Sequence, residues 1–315
     1  MKTIHIQGLE KPVSVLIQGS DYFRPSNYET VCEVLDRFFS IGGNTIDTAH
    51  VYCGGESEVA IGQWMRERGN REDVIILTKG AHHDQNGPRV NPEAISKDLF
   101  ESLERLGTDY VDLYALHRDD PNVPVSEIMD VLNEHIVAGR IKAIGGSNWT
   151  VERIQEANEY AASKGLIGFT FSSPNLSLAK PNEPFWAGCV SVAADDCKWH
   201  KEQQIPILSW SSQARGFFTG RFSPEDRSNK DLVRVFYNEA NWERLRRAEV
   251  LAEEKGVTAI QIALAYVLNQ PFPTGALIGA QNEHELMSCL EGSEIRLTED
   301  ELRWLEDVDL LVEKR

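Results

Sequence analysis

Short apolar runs alternate with amphipathic segments along nearly the whole chain. The runs span residues 14–18, 45–47, 74–78, 111–116, 141–144, 169–171, 205–209 and 276–278. Because almost every position in them is apolar or β-branched, they are typical of strands buried on both faces.

The segments between these runs have helical spacing. In residues 28–39, Val31, Leu35 and Phe38 fall on one face of a helix, and Glu29 falls on the opposite face. Asn91 followed by Pro92 is typical of a helix N-cap and first helical position. The same spacing predicts helices over 57–66, 92–106, 125–137, 151–162 and 241–254.

Strands that alternate with helices in this way predict an α/β fold, a (β/α)8 TIM barrel whose active site lies at the C-terminal face. An open doubly wound sheet is weakened because no GxGxxG turn follows any run and no P-loop is present. Residues 3–13 are expected to form a hairpin that closes the barrel bottom, and residues 213–238 an irregular loop over the top. No low-complexity linker divides the chain, so one domain over 1–315 is expected.

Charge and composition indicate which binding partners and which compartment to expect. The net charge of −17 would repel nucleic acid and anionic membranes, so neither is expected as a partner. No stretch approaches the roughly 20 apolar residues needed to cross a bilayer, and no signal peptide is evident. The five cysteines have scattered spacings, which favours reduced thiols and a cytoplasmic protein. The sequence leaves the oligomeric state open.

Ionisable residues stand at the ends of successive runs. Asp47, Lys79 and His117 end or directly follow the second, third and fourth, and Tyr52 lies five residues after Asp47. Strand ends meet at one mouth of a barrel, so we expect these four side chains to converge.

Their chemistry suits carbonyl reduction. Hydride addition to a carbonyl generates an alkoxide, which needs a proton donor such as a tyrosine. A nearby lysine lowers the tyrosine pKa, an aspartate keeps the lysine charged, and a neutral histidine can orient the carbonyl. Each residue has a structural alternative: Asp47 as a helix cap, Lys79 as a solvated loop charge and His117 as a satisfied strand-end side chain. Their combination favours a catalytic site.

Four segments, at 43–52, 76–79, 109–117 and 145–148, closely resemble aldo-keto reductases, including the signature D-T-A-x-x-Y. The resemblance implies NAD(P)H-dependent reduction of an aldehyde, ketone or sugar. It implies Tyr52 as general acid, Lys79 and Asp47 as its activators, and His117 as the group that orients the carbonyl.

The resemblance also implies a cofactor site. Ser147 and Asn148 would hold the nicotinamide carboxamide and Trp210 would stack on its ring, although an N-cap role for Ser147-Asn148 and a core role for Trp210 are alternatives. The implied cofactor-binding residues are Gly19, Ser20, Asp47, Ser147, Asn148, Ser173, Trp210, Ser211, Gln213, Gly216, Ile278, Gly279, Gln281 and Glu285.

Two positions depart from the family pattern. Ser173 stands where a glutamine is usual. Gly279, Gln281 and Glu285 stand where NADPH-preferring members carry lysine or arginine, and a carboxylate would repel a 2′-phosphate. NADPH and NADH therefore both stay open, since backbone amides at 282–286 could still hold a phosphate.

Weaker features have two interpretations each. Arg118-Asp119-Asp120 could line a polar substrate mouth or be rim charges, and Trp149, Trp186, Phe217 and Phe218 could form an aromatic wall or core. His82-His83 is not expected to bind metal, because adjacent side chains point apart.

Three other functions compete with carbonyl reduction. A cofactor-binding regulator similar to potassium-channel β-subunits stays an alternative, although Tyr52 and Lys79 argue against an idle site. A metal-dependent barrel hydrolase is disfavoured because no HxH pair ends the first run. A Tyr-x-x-x-Lys dehydrogenase is excluded at Tyr52, since Glu56 occupies the fourth position after it.

Overall fold

The computed structural model describes residues 1–307, in which eight parallel strands form a closed barrel. The barrel strands are β3 (Leu16–Gly19), β4 (Thr45–Asp47), β5 (Ile75–Gly80), β6 (Val111–Leu116), β7 (Ile141–Ser147), β8 (Phe171–Ser173), β9 (Ile207–Ser209) and β10 (Thr274–Ile278). Around the barrel the order is β10-β3-β4-β5-β6-β7-β8-β9, which confirms the predicted (β/α)8 fold.

Helices surround this barrel. The helices are α1 (Tyr28–Ser40), α2 (Glu56–Arg68), α3 (Pro92–Leu106), α4 (Val125–Val137), α5 (Val151–Lys164), α6 (Ala194–Gln203), α7 (Lys230–Phe236), α8 (Glu239–Lys255), α9 (Ala259–Leu268), α10 (Glu283–Glu294) and α11 (Glu299–Glu306). Asn91 caps α3 by accepting a hydrogen bond from the Ala94 backbone N–H, with Pro92 at the first helical position. No helix within residues 1–307 is long and apolar enough to span a membrane.

An antiparallel hairpin precedes the barrel, as expected. Its strands are β1 (Thr3–Ile4) and β2 (Val13–Ser14). The first apolar run was predicted to be one strand over 14–18, but Ser14 belongs to the hairpin and the barrel strand starts at Leu16. Ile6 and Val13 of this segment pack inside the barrel with Ile17 and Leu77, so the hairpin fills the barrel bottom.

The stretch 213–238 is more ordered than predicted. It contains a 3₁₀ segment, Ala214–Thr219, and the helix α7. Leu232, Val235 and Phe236 of α7 are buried, and their spacing gives the helix one apolar face. The prediction of an irregular loop is wrong here because so short an amphipathic turn carries little periodic signal.

Strand alternation determines which side chains reach the barrel interior. Ile75 and Leu77 of β5 belong to the interior cluster, and Lys79 follows them on the same face. Thr78 faces the helices instead, where its hydroxyl donates to the buried Glu58 carboxylate at 2.7 Å. The polar end of β5 therefore opens at the C-terminal mouth, and the apolar end fills the interior below it.

Candidate active site

The ammonium group of Lys79 contacts three residues at the mouth of the barrel. Lys79 Nζ lies 2.5 Å from Asp47 Oδ1 and donates to the Thr48 carbonyl at 2.9 Å and to Tyr52 Oη at 3.2 Å. Asp47 and Lys79 are each only 2% exposed, so their ion pair is shielded from water. Lys79 is therefore not a solvated loop charge, and Asp47 caps no helix.

Local backbone geometry positions Tyr52. Its N–H donates to the Ala49 carbonyl at 3.0 Å, and it opens a 3₁₀ segment that ends at Gly55. Cys53, Gly54 and Gly55 follow with φ of 52°, 67° and 95°, a left-handed path that glycine adopts without strain. This tight turn sets the phenol over the strand ends.

His117 completes the group of four. Its backbone N–H donates to the Gly80 carbonyl at 2.9 Å, which fixes it directly beyond β6. Its ring lies 5.7 Å from the Tyr52 ring, edge to face, and 4.7 Å from the His82 ring. The structure thus brings together all four side chains that the sequence predicted to converge.

Burial and neighbouring charges shift the pKa values of Asp47 and Lys79. Burial raises the pKa of the Asp47 carboxyl to about 6, against the opposing effect of the Lys79 cation. Burial also opposes charge on Lys79, but Asp47 and Tyr52 outweigh it and raise the lysine pKa. At neutral pH the pair is therefore a carboxylate and an ammonium ion.

The pKa of Tyr52 is raised to about 12, mainly by burial. Lys79 lowers that pKa, as expected from the sequence, but burial has the larger effect, so the net change is an increase. Burial and the charges of Lys79, His82 and Arg118 hold the pKa of His117 well below its usual range. The site thus presents a neutral phenol and a neutral imidazole.

A cleft of about 1820 Å³ runs from this group across the mouth of the barrel. Thirteen of the fourteen expected cofactor residues line it: Gly19, Ser20, Asp47, Ser147, Asn148, Trp210, Ser211, Gln213, Gly216, Ile278, Gly279, Gln281 and Glu285. Ser173 lies behind them, fully buried, and its carbonyl accepts a hydrogen bond from the Ser147 hydroxyl at 2.9 Å. Its own Oγ is buried without a hydrogen-bond partner.

Asn148 ties three parts of the site together. Its Nδ2 donates to the His117 carbonyl at 3.2 Å, and its Oδ1 accepts from the Val190 N–H at 3.1 Å and from Trp210 Nε1 at 3.2 Å. Its φ of +60° is one that asparagine tolerates better than most residues. The helix cap that follows is Thr150, so the alternative that Ser147-Asn148 forms the N-cap is wrong.

The aromatic residues divide between cleft and core. Trp210 is half-buried at the cleft, 6.0 Å from the ring of Trp186, which is 48% exposed. Trp149 and Phe217 are buried, and the Trp149 indole donates to the Arg118 carbonyl. Trp186 therefore forms part of the cleft wall, and Trp149 and Phe217 belong to the packing beneath.

At the far end of the cleft, side chains accept hydrogen bonds from backbone N–H groups at the N-terminal end of α10. Glu285 Oε2 accepts from the Gln281 N–H at 2.8 Å, and Asn282 Oδ1 accepts from the Glu285 N–H at 3.0 Å. Space is open next to Gly279, where an added Cβ would meet no atom within 4 Å. The two bonded amides are thus not free to bind a phosphate.

Several residues that line the cleft were not predicted from the sequence, namely Asp21, Tyr22, Ser212 and Arg215. Asp21 and Tyr22 directly follow Gly19 and Ser20, so extending the strand-end rule by two residues would have found them. Nothing in the sequence marked Arg215, which reaches the cleft through a left-handed turn at φ +52°.

The two adjacent histidines also differ from expectation. The rings of His82 and His83 lie 4.2 Å apart rather than pointing away from each other, because Ala81, at φ +56°, ends the strand alternation before them. Across residues 1–307, no group of three His, Cys, Asp or Glu side chains is arranged to hold a metal ion.

Comparison with known proteins places this barrel in a family. The model of the aldo/keto reductase family matches residues 16–309. The chain belongs to the aldo/keto reductase family. It is therefore an NAD(P)H-dependent oxidoreductase of a family that acts on small carbonyl compounds.

Individual relatives are distant. Norsolorinic acid reductase B of Aspergillus parasiticus is 26% identical over 302 residues, which cover 92% of this chain and 77% of that protein. The aldo-keto reductase YhdN of Bacillus subtilis is 29% identical over 279 residues, covering 84% of this chain and 78% of the relative. A crystal structure of a thermostable aldo-keto reductase with the inhibitor epalrestat has a TM-score of 0.76 at 23% identity, covers 98% of this chain and 100% of its own, and supports the fold.

Proposed function

We propose that this protein reduces an aldehyde, ketone or sugar carbonyl to an alcohol, with Tyr52 as the general acid. The observation that carries the proposal is the hydrogen bond of 3.2 Å between Lys79 Nζ and Tyr52 Oη, made by an ammonium that Asp47 holds in place. Asp47 holds the Lys79 ammonium and that ammonium bonds to the Tyr52 hydroxyl, so the phenolic proton has a defined position at the mouth of the barrel.

The roles follow from the protonation states. Tyr52, with a pKa of about 12, carries its proton at neutral pH and donates it to the oxygen on which charge develops. Lys79 stabilises the phenolate that remains. His117, neutral because its pKa is held well below the usual range, donates a hydrogen bond that orients the carbonyl.

The cleft residues fit a nicotinamide cofactor. Ser147 and Asn148 offer hydroxyl and amide groups beside Tyr52 and His117, and Trp210 offers an indole face at the same wall. The buried, unpartnered Oγ of Ser173 lies directly behind them. A bound reduced nicotinamide supplies the hydride, and these residues would decide which face of the ring meets the carbonyl.

We further propose that the cleft prefers NADH to NADPH. The Glu285 carboxylate accepts a hydrogen bond from the Gln281 N–H, and the Asn282 side chain accepts one from the Glu285 N–H. A 2′-phosphate would therefore meet a carboxylate where it needs N–H donors. A ribose hydroxyl could instead donate to that carboxylate.

Tyr52→Phe tests the general-acid role, with Tyr160→Phe, whose hydroxyl bonds to Asp130 on the surface, as matched control. Cofactor oxidation is followed with a panel of aldehydes, ketones and aldoses, and cofactor binding by tryptophan fluorescence. Tyr52→Phe should lose activity about 10²–10⁴-fold with cofactor affinity preserved. Retained turnover would remove Tyr52 from the role of proton donor.

A further inference from the structure

Arg118 is a buried cation beside the proposed reaction centre. The residue is 7% exposed and directly follows His117. Its Nη1 donates to the His117 carbonyl at 2.8 Å and its Nε to the Ala187 carbonyl at 3.3 Å. Within residues 1–307 no carboxylate forms an ion pair with it, and the neighbouring Asp119 pairs with Arg153 at 3.2 Å.

Among the described residues, this guanidinium has no carboxylate as counter-ion. Carbonyl oxygens satisfy some of its five N–H donors, but they do not neutralise its charge, and a buried uncompensated charge is costly. Arg118 lines the same cleft as Tyr52 and His117, so the unneutralised charge faces the space in which a substrate would lie.

A second cation reinforces the positive character of this side. The guanidinium of Arg215 lines the cleft, 4.7 Å above the Phe185 ring and 5.4 Å above the Trp186 ring. The acidic residues near the reaction centre, Asp47 and Asp21, lie on the Tyr52 side, where both raise the tyrosine pKa. In a chain of net charge −17, this grouping of cations is a local exception.

We propose that Arg118 binds an anionic group of the substrate, a carboxylate, while the carbonyl of the same substrate lies against Tyr52 and His117. Arg118 offers the planar fork of donors that suits a carboxylate. The exposed face of Trp186 beside it fits a flat, unsaturated or aromatic spacer between the two groups. The substrate class is thus an oxo-acid, and this inference rests on the proposed carbonyl reductase function.

A structural role gives a different expectation. Arg118 could simply tie the 187–188 segment to the barrel, since an added Cβ on Gly188 would lie 3.3 Å from its Cδ. In that case, replacing it would affect charged and neutral substrates alike.

The test compares para-formylbenzoate with para-formylbenzamide, which differ in charge but hardly in shape. We expect wild-type kcat/KM to favour the carboxylate about tenfold or more. In Arg118→Gln, kcat/KM for para-formylbenzoate should fall about tenfold further than kcat/KM for para-formylbenzamide, so that the preference is lost. Arg118→Lys retains a cation and should keep part of the preference. Arg66→Gln, an exposed arginine outside the cleft, controls for net charge and should behave as wild type.

A binding measurement separates this proposal from the catalytic one. Benzoate and benzamide are titrated calorimetrically into wild type and Arg118→Gln, each saturated with oxidised cofactor. Benzoate affinity that falls about tenfold in Arg118→Gln supports the subsite even if neither aldehyde is reduced, and that second result would overturn the reductase proposal alone. Equal benzoate affinity in both proteins, or an equal loss of activity on both aldehydes, overturns the subsite.

Discussion

Lys79 Nζ and Asp47 Oδ1 lie 2.5 Å apart in a site where both side chains are almost fully buried. Removing one partner of such a pair leaves an uncompensated charge, at a cost of about 3–5 kcal/mol. The pair therefore has a structural as well as an electrostatic effect on Tyr52, which receives the third hydrogen bond of the ammonium.

Lys79→Met should reduce kcat/KM for carbonyl reduction about 10²–10⁴-fold, because the phenolate left after proton transfer loses its cation. The tyrosine pKa should also rise further, since Lys79 is the group that lowers it. Rate is measured by cofactor oxidation, and folding by thermal melts. Lys97→Met, at an exposed helix position, is the matched control, and a similar loss there would show that the effect is not specific to the site.

The pH profile should have an acid limb but no basic limb in the accessible range. Asp47, with a pKa of about 6, takes up a proton as the pH falls through that value, and Lys79 then loses its carboxylate partner. Activity in reduction should therefore fall below pH 6 and stay level above neutrality, because Tyr52 keeps its proton up to about 12. Alcohol oxidation, which needs the phenolate, should rise with pH instead.

Asp47→Asn should abolish that acid limb while lowering the overall rate, since the asparagine carries no titrating group. Profiles are recorded as kcat/KM in buffers of constant ionic strength. A wild-type profile that stays level through pH 6 would contradict the assignment of the limb to Asp47.

Glu285→Arg should shift cofactor preference towards NADPH by about tenfold or more, since a guanidinium there can pair with the 2′-phosphate. Both cofactors are titrated by fluorescence quenching. Glu283→Arg is the matched control, because Glu283 lies in the same helical turn but pairs with Arg37 outside the cleft. A wild-type preference for NADPH of about a hundredfold, 2.7 kcal/mol, would refute the proposal for NADH.

Replacing Asn148 should destabilise the part of the cleft between His117 and Trp210. Asn148→Ala removes the hydrogen bonds to His117, Val190 and Trp210 and should destabilise the protein by about 1–3 kcal/mol. Asn148→Gly removes the same bonds but accepts φ +60°, so it should be less destabilised than Asn148→Ala. Denaturant unfolding measures both. The reverse order would show that backbone strain at this position is negligible.

Much of the fold could be predicted because it depends on local pattern. The runs at 45–47 and 111–116 coincide with β4 and β6, and 92–106 and 125–137 coincide with α3 and α4. Predictions that were wrong in detail concern short segments: a strand through Ser14, an irregular loop over 213–238, and a strand over 169–171 of which only Phe171 belongs to β8. Their pairing and packing depend on distant residues, such as Asn44, whose side chain accepts from the Ser14 N–H.

The convergence of Asp47, Tyr52, Lys79 and His117 followed from the sequence alone, because parallel strands in a barrel end at one mouth and residue types restrict the chemistry. Only the tertiary structure decided how acidic these groups are and which backbone amides are occupied. Burial outweighs the effect of Lys79 on the pKa of Tyr52, and the Glu285 carboxylate accepts a hydrogen bond from the Gln281 N–H. Arg118 is buried and has no carboxylate partner within residues 1–307. Desolvation and hydrogen bonding depend on every neighbouring atom, and those neighbours come together only when the barrel closes.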